Sequence, residues 1–249
     1  RDRLRSRGLG DVYKRQLVAM DTKSVVGKAL VEERTGAGCD NFRNGDHTTT
    51  LIRTENGKVI EIQHNVMTPQ PYNRLYQLTG TKGFANKYPV EGYALDAKQL
   101  TASGMEPKVD DLSSHSFLPK DEMNALVEKY QHPILKKYGE MAKEVGGHGG
   151  MDFIMDSRLV YCLQNGLPLD MDVYDLAEWC CLAELGELSM DNGCASVAFP
   201  DFTRGEWNKI KGYKHAYATP EEEAAIMEKA KAFTQKLKEK GAEEWAEDK

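Results

Sequence analysis

The stretch HTTTLIRTENGKVIEIQHNV, residues 47–66, decides the fold. Residues 47–54 are rich in β-branched side chains, ENG at 55–57 is a turn signal, and 58–66 resumes an apolar/polar alternation. Two such runs joined by a Gly-containing turn read as a β-hairpin. Downstream, NRLYQLTGTKGFA (73–85) reads as a third strand, a Gly-bounded turn and a fourth short strand. Strands this close together, with no helix between them, pair antiparallel. Upstream, LVAM (17–20) suits a short strand and KSVVGKALVEER (23–34) a short helix, followed by a Gly/Asp/Asn-rich loop over 35–46.

Past Asp96 the character changes. Residues 97–118 read as a polar loop without a period. Helical patterns fill 120–145 and are split at Pro133, which suits the first turn of a second helix because its missing N–H costs nothing there. Gly146 and Gly147 end that helix. In the next one, Phe153, Ile154, Val160, Tyr161 and Leu163 share a side at helical spacing, with Gly166 and Pro168 as the stop. A helix over 172–190 is expected to bury Val173, Leu176, Cys180, Leu185 and Leu188 and to close at DNG (191–193), with VAFPDF (197–202) extended after it. Thr219, Pro220 and Glu222 supply the N-cap, first-turn proline and capping box of a last helix over about 219–247. Strands precede helices, so the expectation is an α+β domain: an open, mostly antiparallel sheet with helices packed on one face.

Bulk properties exclude several classes. A net charge of −6 leaves no broad basic surface for nucleic acid. No run approaches the roughly 18 apolar residues of a membrane span. The five cysteines are odd in number and form no C-x-x-C pair, so neither a disulfide framework nor a zinc-thiolate site is expected. Cys162, Cys180 and Cys181 lie in apolar helical patterns and read as small buried hydrophobes. The Arg-rich opening RDRLRSRGLGDVYKRQ (1–16) has no apolar periodicity and differs in charge from the rest. It is expected to be a non-native, adapter-derived arm, with the domain proper over 17–249; the alternative is a native basic arm.

Chemistry-bearing residues are few. No G-x-G-x-x-G follows a strand, and no G-x-x-x-x-G-K-[ST], G-x-S-x-G or H-E-x-x-H occurs. GGHGG (146–150) has the glycines of a phosphate cradle but follows a helix. His148 precedes a helix, whose partial positive charge favours a neutral imidazole and anionic or hydroxyl-bearing ligands nearby; the alternative is a capping or surface histidine in a hinge. His64 shares a strand face with Ile60 and Ile62 and reads as a satisfied core histidine. Nothing in the spacing of His47, His64 and His148 requires a metal, and none is expected. In MTPQPYNR (67–74), Pro69 and Pro71 stiffen the loop that carries Tyr72. An aromatic hydroxyl on a rigid loop offers a sugar an apolar ring face and one hydrogen-bonding tip; alternatively the ring packs the loop down.

Several segments match one family in order. QHNVMTPQPYNRLYQLTGTKGFANKYPVEG (63–92), HGGMDF (148–153), NGLPLDMDVYD (165–175) and FPDFTRG (199–205) resemble the C-terminal half of glycoside hydrolase family 109, in the glucose–fructose oxidoreductase / inositol dehydrogenase superfamily. The resemblance covers about Leu17 to Trp207. It implies a two-domain enzyme whose N-terminal Rossmann domain holds NAD and whose C-terminal domain shapes the sugar pocket and forms a homo-oligomer through its sheet face. The implied reaction is retaining cleavage of N-acetylgalactosaminides by transient oxidation at the sugar C3, elimination, water addition and re-reduction. This scheme needs no carboxylate pair. The family's Gly-rich nucleotide segment and its catalytic Tyr/His motif are not in the chain and are expected upstream of Leu17, so the isolated chain is expected to be inactive. Tyr72, with Arg74 orienting it, is carried over as a substrate contact; His148 and Asp152 match family positions and are placed in the substrate site by inference. The alternatives are an NAD(P)-dependent sugar dehydrogenase without hydrolysis and a non-catalytic dimerisation or sugar-binding domain. The compartment stays open, since an export signal would precede Leu17.

Overall fold

The computed structural model describes residues 13–109, 111–165, 169–171 and 173–205, together with positions 228, 232, 235 and 239. The chain divides into two compact units, Arg1–Thr68 with Glu140–Lys249, and Pro69–Gly139.

The first unit is built on a four-stranded sheet of order β3-β2-β1-β7, antiparallel throughout. Its strands are β1 (Lys14–Asp21), β2 (Thr48–Thr54), β3 (Val59–His64) and β7 (Val197–Ala198). The β2–β3 hairpin is the one the alternation predicts. Gly57 takes φ +78, and its N–H reaches the Thr54 carbonyl at 3.0 Å to close the turn. β1 begins at Lys14, three residues before the LVAM run and inside the stretch set apart by composition; Tyr13 and Lys14 are buried there. Register places Leu17 opposite both Ile52 and Val197, and Ile52 opposite Ile60, so one face gathers these apolar side chains. Leu17, Ala19 and Ile52 are fully buried, and Leu182, Leu185, Met190 and Phe199 pack against them. The opposite face leaves Met20, Leu51 and Val59 exposed.

Helix α6 (Val173–Asp191) covers the core face, but with a different side than its apolar spacing suggests. Asp175, Glu178 and Ser189 are buried, whereas Val173, Leu176, Cys180 and Leu188 are exposed; of the expected set only Leu185 joins the core. The reason is hydrogen bonding to β1. Glu178 accepts the Lys14 backbone N–H at 3.0 Å and its ammonium at 2.9 Å. Ser189 Oγ accepts the Ala19 N–H at 3.0 Å and donates to the Ala195 carbonyl at 2.7 Å. Buried polar groups with partners are tolerated where unpaired ones are not. The same reversal occurs in α5 (Met151–Gln164): Arg158 and Cys162 are buried, while Val160 and Leu163 face solvent.

Helix α1 (Val26–Thr35) has Val25 at its N-cap, which offers no capping side chain. The cap comes from twenty residues downstream. The Asp46 carboxylate accepts the N–H groups of Val25, Val26 and Gly27 at 2.9, 2.8 and 2.8 Å. His64 is a correction: it is exposed at the end of the edge strand β3, although it shares the core-side register of Ile60. Edge-strand ends outrun the helix that covers the sheet, so facing the core side does not ensure burial.

The second unit holds a three-stranded antiparallel sheet of order β4-β5-β6 (Gln77–Gly80, Gly83–Asn86, Gly92–Ala94). The expected strand after the proline loop is thus shorter and belongs to a separate sheet, since Pro69 and Pro71 have no N–H for a ladder. Residues 97–102, expected to be loop, form helix α2 (Ala97–Ala102) on a capping box in which Asp96 accepts the Gln99 N–H and the Gln99 side chain accepts the Asp96 N–H. α3 (Lys120–Tyr130) and α4 (Pro133–Val145) follow, with Pro133 opening α4 as expected. The helix expected over 219–247 falls largely outside the described residues; Glu228, Ala232, Gln235 and Glu239 are helical and exposed.

Candidate functional site

In the first unit, α4 ends and five successive residues turn left-handed. Gly146, Gly147, His148, Gly149 and Gly150 have φ of +90, +75, +47, +71 and +94. Four of the five are glycine, which accepts this region without steric cost. Only His148 carries a side chain there, where a non-glycine residue is uncommon. Two glycines are also required by space: a Cβ on Gly150 would lie 2.5 Å from the Ala142 carbonyl carbon, and one on Gly147 would lie 2.9 Å from Asp152 Oδ2. The 3-10 turn His148–Gly150 then leads directly into α5.

This turn brings two of the candidate residues together. His148 Nδ1 lies 2.8 Å from Asp152 Oδ2, one helical turn on. Asp152 sits in the first turn of α5, where the helix dipole favours a carboxylate. The imidazole is 75% exposed and the carboxylate 41%.

The other two candidates meet in the second unit. Arg74 Nε donates to Tyr72 Oη, and the guanidinium carbon stands 5.5 Å from the Tyr72 ring centroid. The ring of Tyr88 meets Tyr72 edge-on, centroids 5.9 Å apart at 85°. Tyr72 is 68% exposed, so the loop presents the ring and does not bury it.

Sequence reasoning passed over two polar anchors in the first unit. Arg158 reaches Asp170 at 3.2 and 3.3 Å, contacts Cys162 Sγ at 3.3 Å and lies 5.5 Å over the Tyr161 ring. This ties the NGLPLDMDVYD segment to α5. Asp201 accepts from the hydroxyls of Tyr13 at 2.5 Å and Thr203 at 2.7 Å, and from the N–H groups of Thr203 at 2.9 Å and Gly205 at 2.6 Å. Burial raises the Asp201 carboxyl, but these donors together outweigh it and hold the group below the ordinary carboxylate range. Burial first, then the neighbouring Asp201, pushes the Tyr13 phenol well up. An i,i+4 spacing of Arg158 and Cys162 and the run D-x-T-x-G at 201–205 were the available signals.

His47 Nε2 lies 3.1 Å from Thr49 Oγ1, and among the described residues no three His, Cys, Asp or Glu side chains gather as a metal site. All five cysteines are free thiols; Cys162 is buried, but Cys180 is exposed, contrary to its apolar setting. No helix among the described residues is long and apolar enough to cross a membrane. Every strand pairing among the described residues is antiparallel, so none of them forms the parallel strand–turn–helix unit that seats a pyrophosphate.

Comparison with known proteins places these segments. The model of the glycosyl hydrolase 109 C-terminal domain matches residues 10–209. Glycosyl hydrolase family 109 protein 5 of Phocaeicola vulgatus is 87% identical over 232 residues, which are 93% of this chain and 45% of that protein. Protein 4 of the same organism is 85% identical over 230 residues, 92% of this chain and 45% of the relative. Glycosyl hydrolase family 109 protein 1 of Bacteroides thetaiotaomicron is 60% identical over 202 residues, 81% of this chain and 43% of the relative. The chain thus spans a little under half the length of the curated relatives it matches. It belongs to glycosyl hydrolase family 109, as that family's C-terminal domain.

Proposed function

We propose that this domain is the sugar-binding part of an NAD-dependent α-N-acetylgalactosaminidase whose dinucleotide domain and catalytic residues lie on polypeptide outside this chain. The observation that carries the reading is family membership over residues 10–209 combined with 45% coverage of relatives of high identity. In this reading both the cofactor and the bond-making steps belong to polypeptide outside this chain.

In this reading Tyr72 offers a ring face and a hydroxyl to the sugar, and Arg74 fixes the direction of that hydroxyl. His148 and Asp152 supply a polar pair for a sugar hydroxyl. The outer sheet face carrying Met20, Leu51 and Val59 is the surface for self-association, since clustered exposed apolar side chains mark interaction sites.

The deciding experiment uses the longer enzyme and an aryl α-N-acetylgalactosaminide. Release of the aglycone without net NADH is expected; accumulation of NADH would instead identify a sugar dehydrogenase. The chain of residues 1–249 alone is expected to show no NAD binding by calorimetry and no turnover, and a measurable NAD affinity overturns the division of labour.

A further inference from the structure

Residues 87–91 join β5 to β6, and the Tyr88 ring that meets Tyr72 stands among them. We propose that Asn86 is a positioning residue of the proposed sugar site: its side-chain amide holds this loop by the Val90 carbonyl and so keeps the Tyr88 ring edge-on to Tyr72. The proposal rests on the reading of Tyr72 as a sugar contact.

The ends of the loop are fixed by the sheet. Asn86 and Gly92 are partners in the β5–β6 register. Residue 92 must be glycine, because a Cβ there would lie 2.5 Å from the Phe117 ring, which packs on Phe84. Between these ends the loop has two anchors. The Lys87 N–H reaches the Tyr76 carbonyl at 3.0 Å, and Asn86 Nδ2 donates to the Val90 carbonyl at 2.7 Å. Tyr88 lies between the two. Pro89 and Val90 are exposed, so apolar burial does not hold this part of the loop.

Asn86 itself is buried. A carbonyl oxygen can only accept, so the amide nitrogen must face Val90 and the amide oxygen must point away from it. That oxygen is buried and has no partner among the described residues. An unpaired buried acceptor disfavours the fold, so packing does not account for the amide; what it supplies is the bond to Val90. Tyr72 is thus braced twice: by Arg74, from its own loop, at the hydroxyl, and by Tyr88 at the ring. The second brace depends on Asn86. A ring already held in place loses less freedom when a ligand arrives, so the effect belongs to sugar affinity.

The test is NMR of the chain with labelled tyrosines, Tyr72→Phe and Tyr88→Phe identifying the two rings. Wild type is expected to show a cross-relaxation peak between the rings of Tyr72 and Tyr88, and Asn86→Ala to lose it. Asn86→Asp separates the hydrogen bond from the shape. Its carboxylate cannot donate to Val90, but the protonated acid can, and burial favours the protonated form. The peak is expected to be absent from this variant near neutral pH and to return on acidification. Wild type should keep it throughout; since Lys87 and Glu91 of the loop are common to both chains, the difference isolates residue 86. A peak that survives in Asn86→Ala, or that stays absent from Asn86→Asp in acid while the chain remains folded, overturns the proposal. Should Asn86→Ala fail to fold, the aspartate variant decides it. In the longer enzyme, Asn86→Asp at neutral pH should raise KM for an aryl α-N-acetylgalactosaminide by about 2- to 12-fold, the span of one hydrogen bond, with kcat unchanged. Ring contacts that respond as expected while KM stays at the wild-type value leave Asn86 as the anchor of the loop and remove Tyr72 from the sugar site.

Discussion

Ser189 Oγ accepts the backbone N–H of Ala19 at 3.0 Å, so the last turn of α6 is bonded to the central strand β1. The same oxygen donates to the Ala195 carbonyl, and Ser189 is fully buried. Ser189→Ala leaves the buried Ala19 N–H without its acceptor and removes the donor to the Ala195 carbonyl. A loss of about 1–3 kcal/mol in unfolding free energy is expected, read as a lower urea midpoint at unchanged slope. A loss below a few tenths of a kcal/mol would mean that water reaches these groups.

Asp46 makes α1 sensitive to acid. The N–H groups of Gly27 and Val26, more than that of Val25, hold its carboxyl below the ordinary range against the opposing effect of burial. A group depressed in the folded state stabilises it above the unfolded pKa, about 3.9, and that contribution vanishes as pH falls through the lower, folded value. Denaturation of wild type and Asp46→Asn over a pH series should therefore show a constant gap above about pH 5 that closes in stronger acid. A gap independent of pH down to the lowest value at which the chain folds would remove the carboxylate's charge from the account.

The glycines of the left-handed run are not equivalent. Gly149 has open space where a Cβ would go, so Gly149→Ala meets only the strain of φ +71, a cost of about 1–2 kcal/mol. Gly150→Ala adds a Cβ 2.5 Å from the Ala142 backbone, which must move. Thermal melts should order the variants wild type, Gly149→Ala, Gly150→Ala, and only the last should perturb the Asp152 amide signal strongly. Equal melting points for the two variants would count against the close approach of this turn to α4.

Tyr72→Phe, made in the longer enzyme, tests the proline loop. It deletes the hydroxyl that accepts from Arg74 while keeping the ring against Tyr88. If the hydroxyl meets the sugar, kcat/KM for an aryl α-N-acetylgalactosaminide should fall by about 2- to 12-fold, the equivalent of about 0.5–1.5 kcal/mol for one hydrogen bond. Unchanged kinetics would take Tyr72 out of the site.

What the chain reveals without a structure follows from the range of each signal. The hairpin at 47–66 was readable because turn and alternation are local, and the start of α4 because Pro133 acts within one turn. α2 escaped notice because six residues carry little periodicity and its only mark was Asp96 three positions before Gln99. The covered faces of α5 and α6 were misassigned for a different reason. Periodicity ranks residues by polarity, whereas Asp175, Glu178, Ser189 and Arg158 are buried, with bonds from Glu178 and Ser189 to β1 and from Arg158 to Asp170 that no spacing rule anticipates. At the candidate site, His148 and Tyr72 stood out by residue type and loop context. The Asp152 carboxylate was legible as an i+4 neighbour only once the helix was known to start at Met151, and that start depends on backbone angles that only glycine makes inexpensive.

Those angles carry a stereochemical consequence. Residues 146–150 follow the hand that suits D-amino acids, so D-alanine placed at 149 by chemical ligation should stiffen the turn where L-alanine strains it. Ribosomal synthesis has no such monomer, and any single-codon change at 146, 147, 149 or 150 installs a residue of unsuitable chirality. The imidazole at 148 is thereby held four positions before its acidic neighbour by the geometry of the residues around it, whatever ligand it meets.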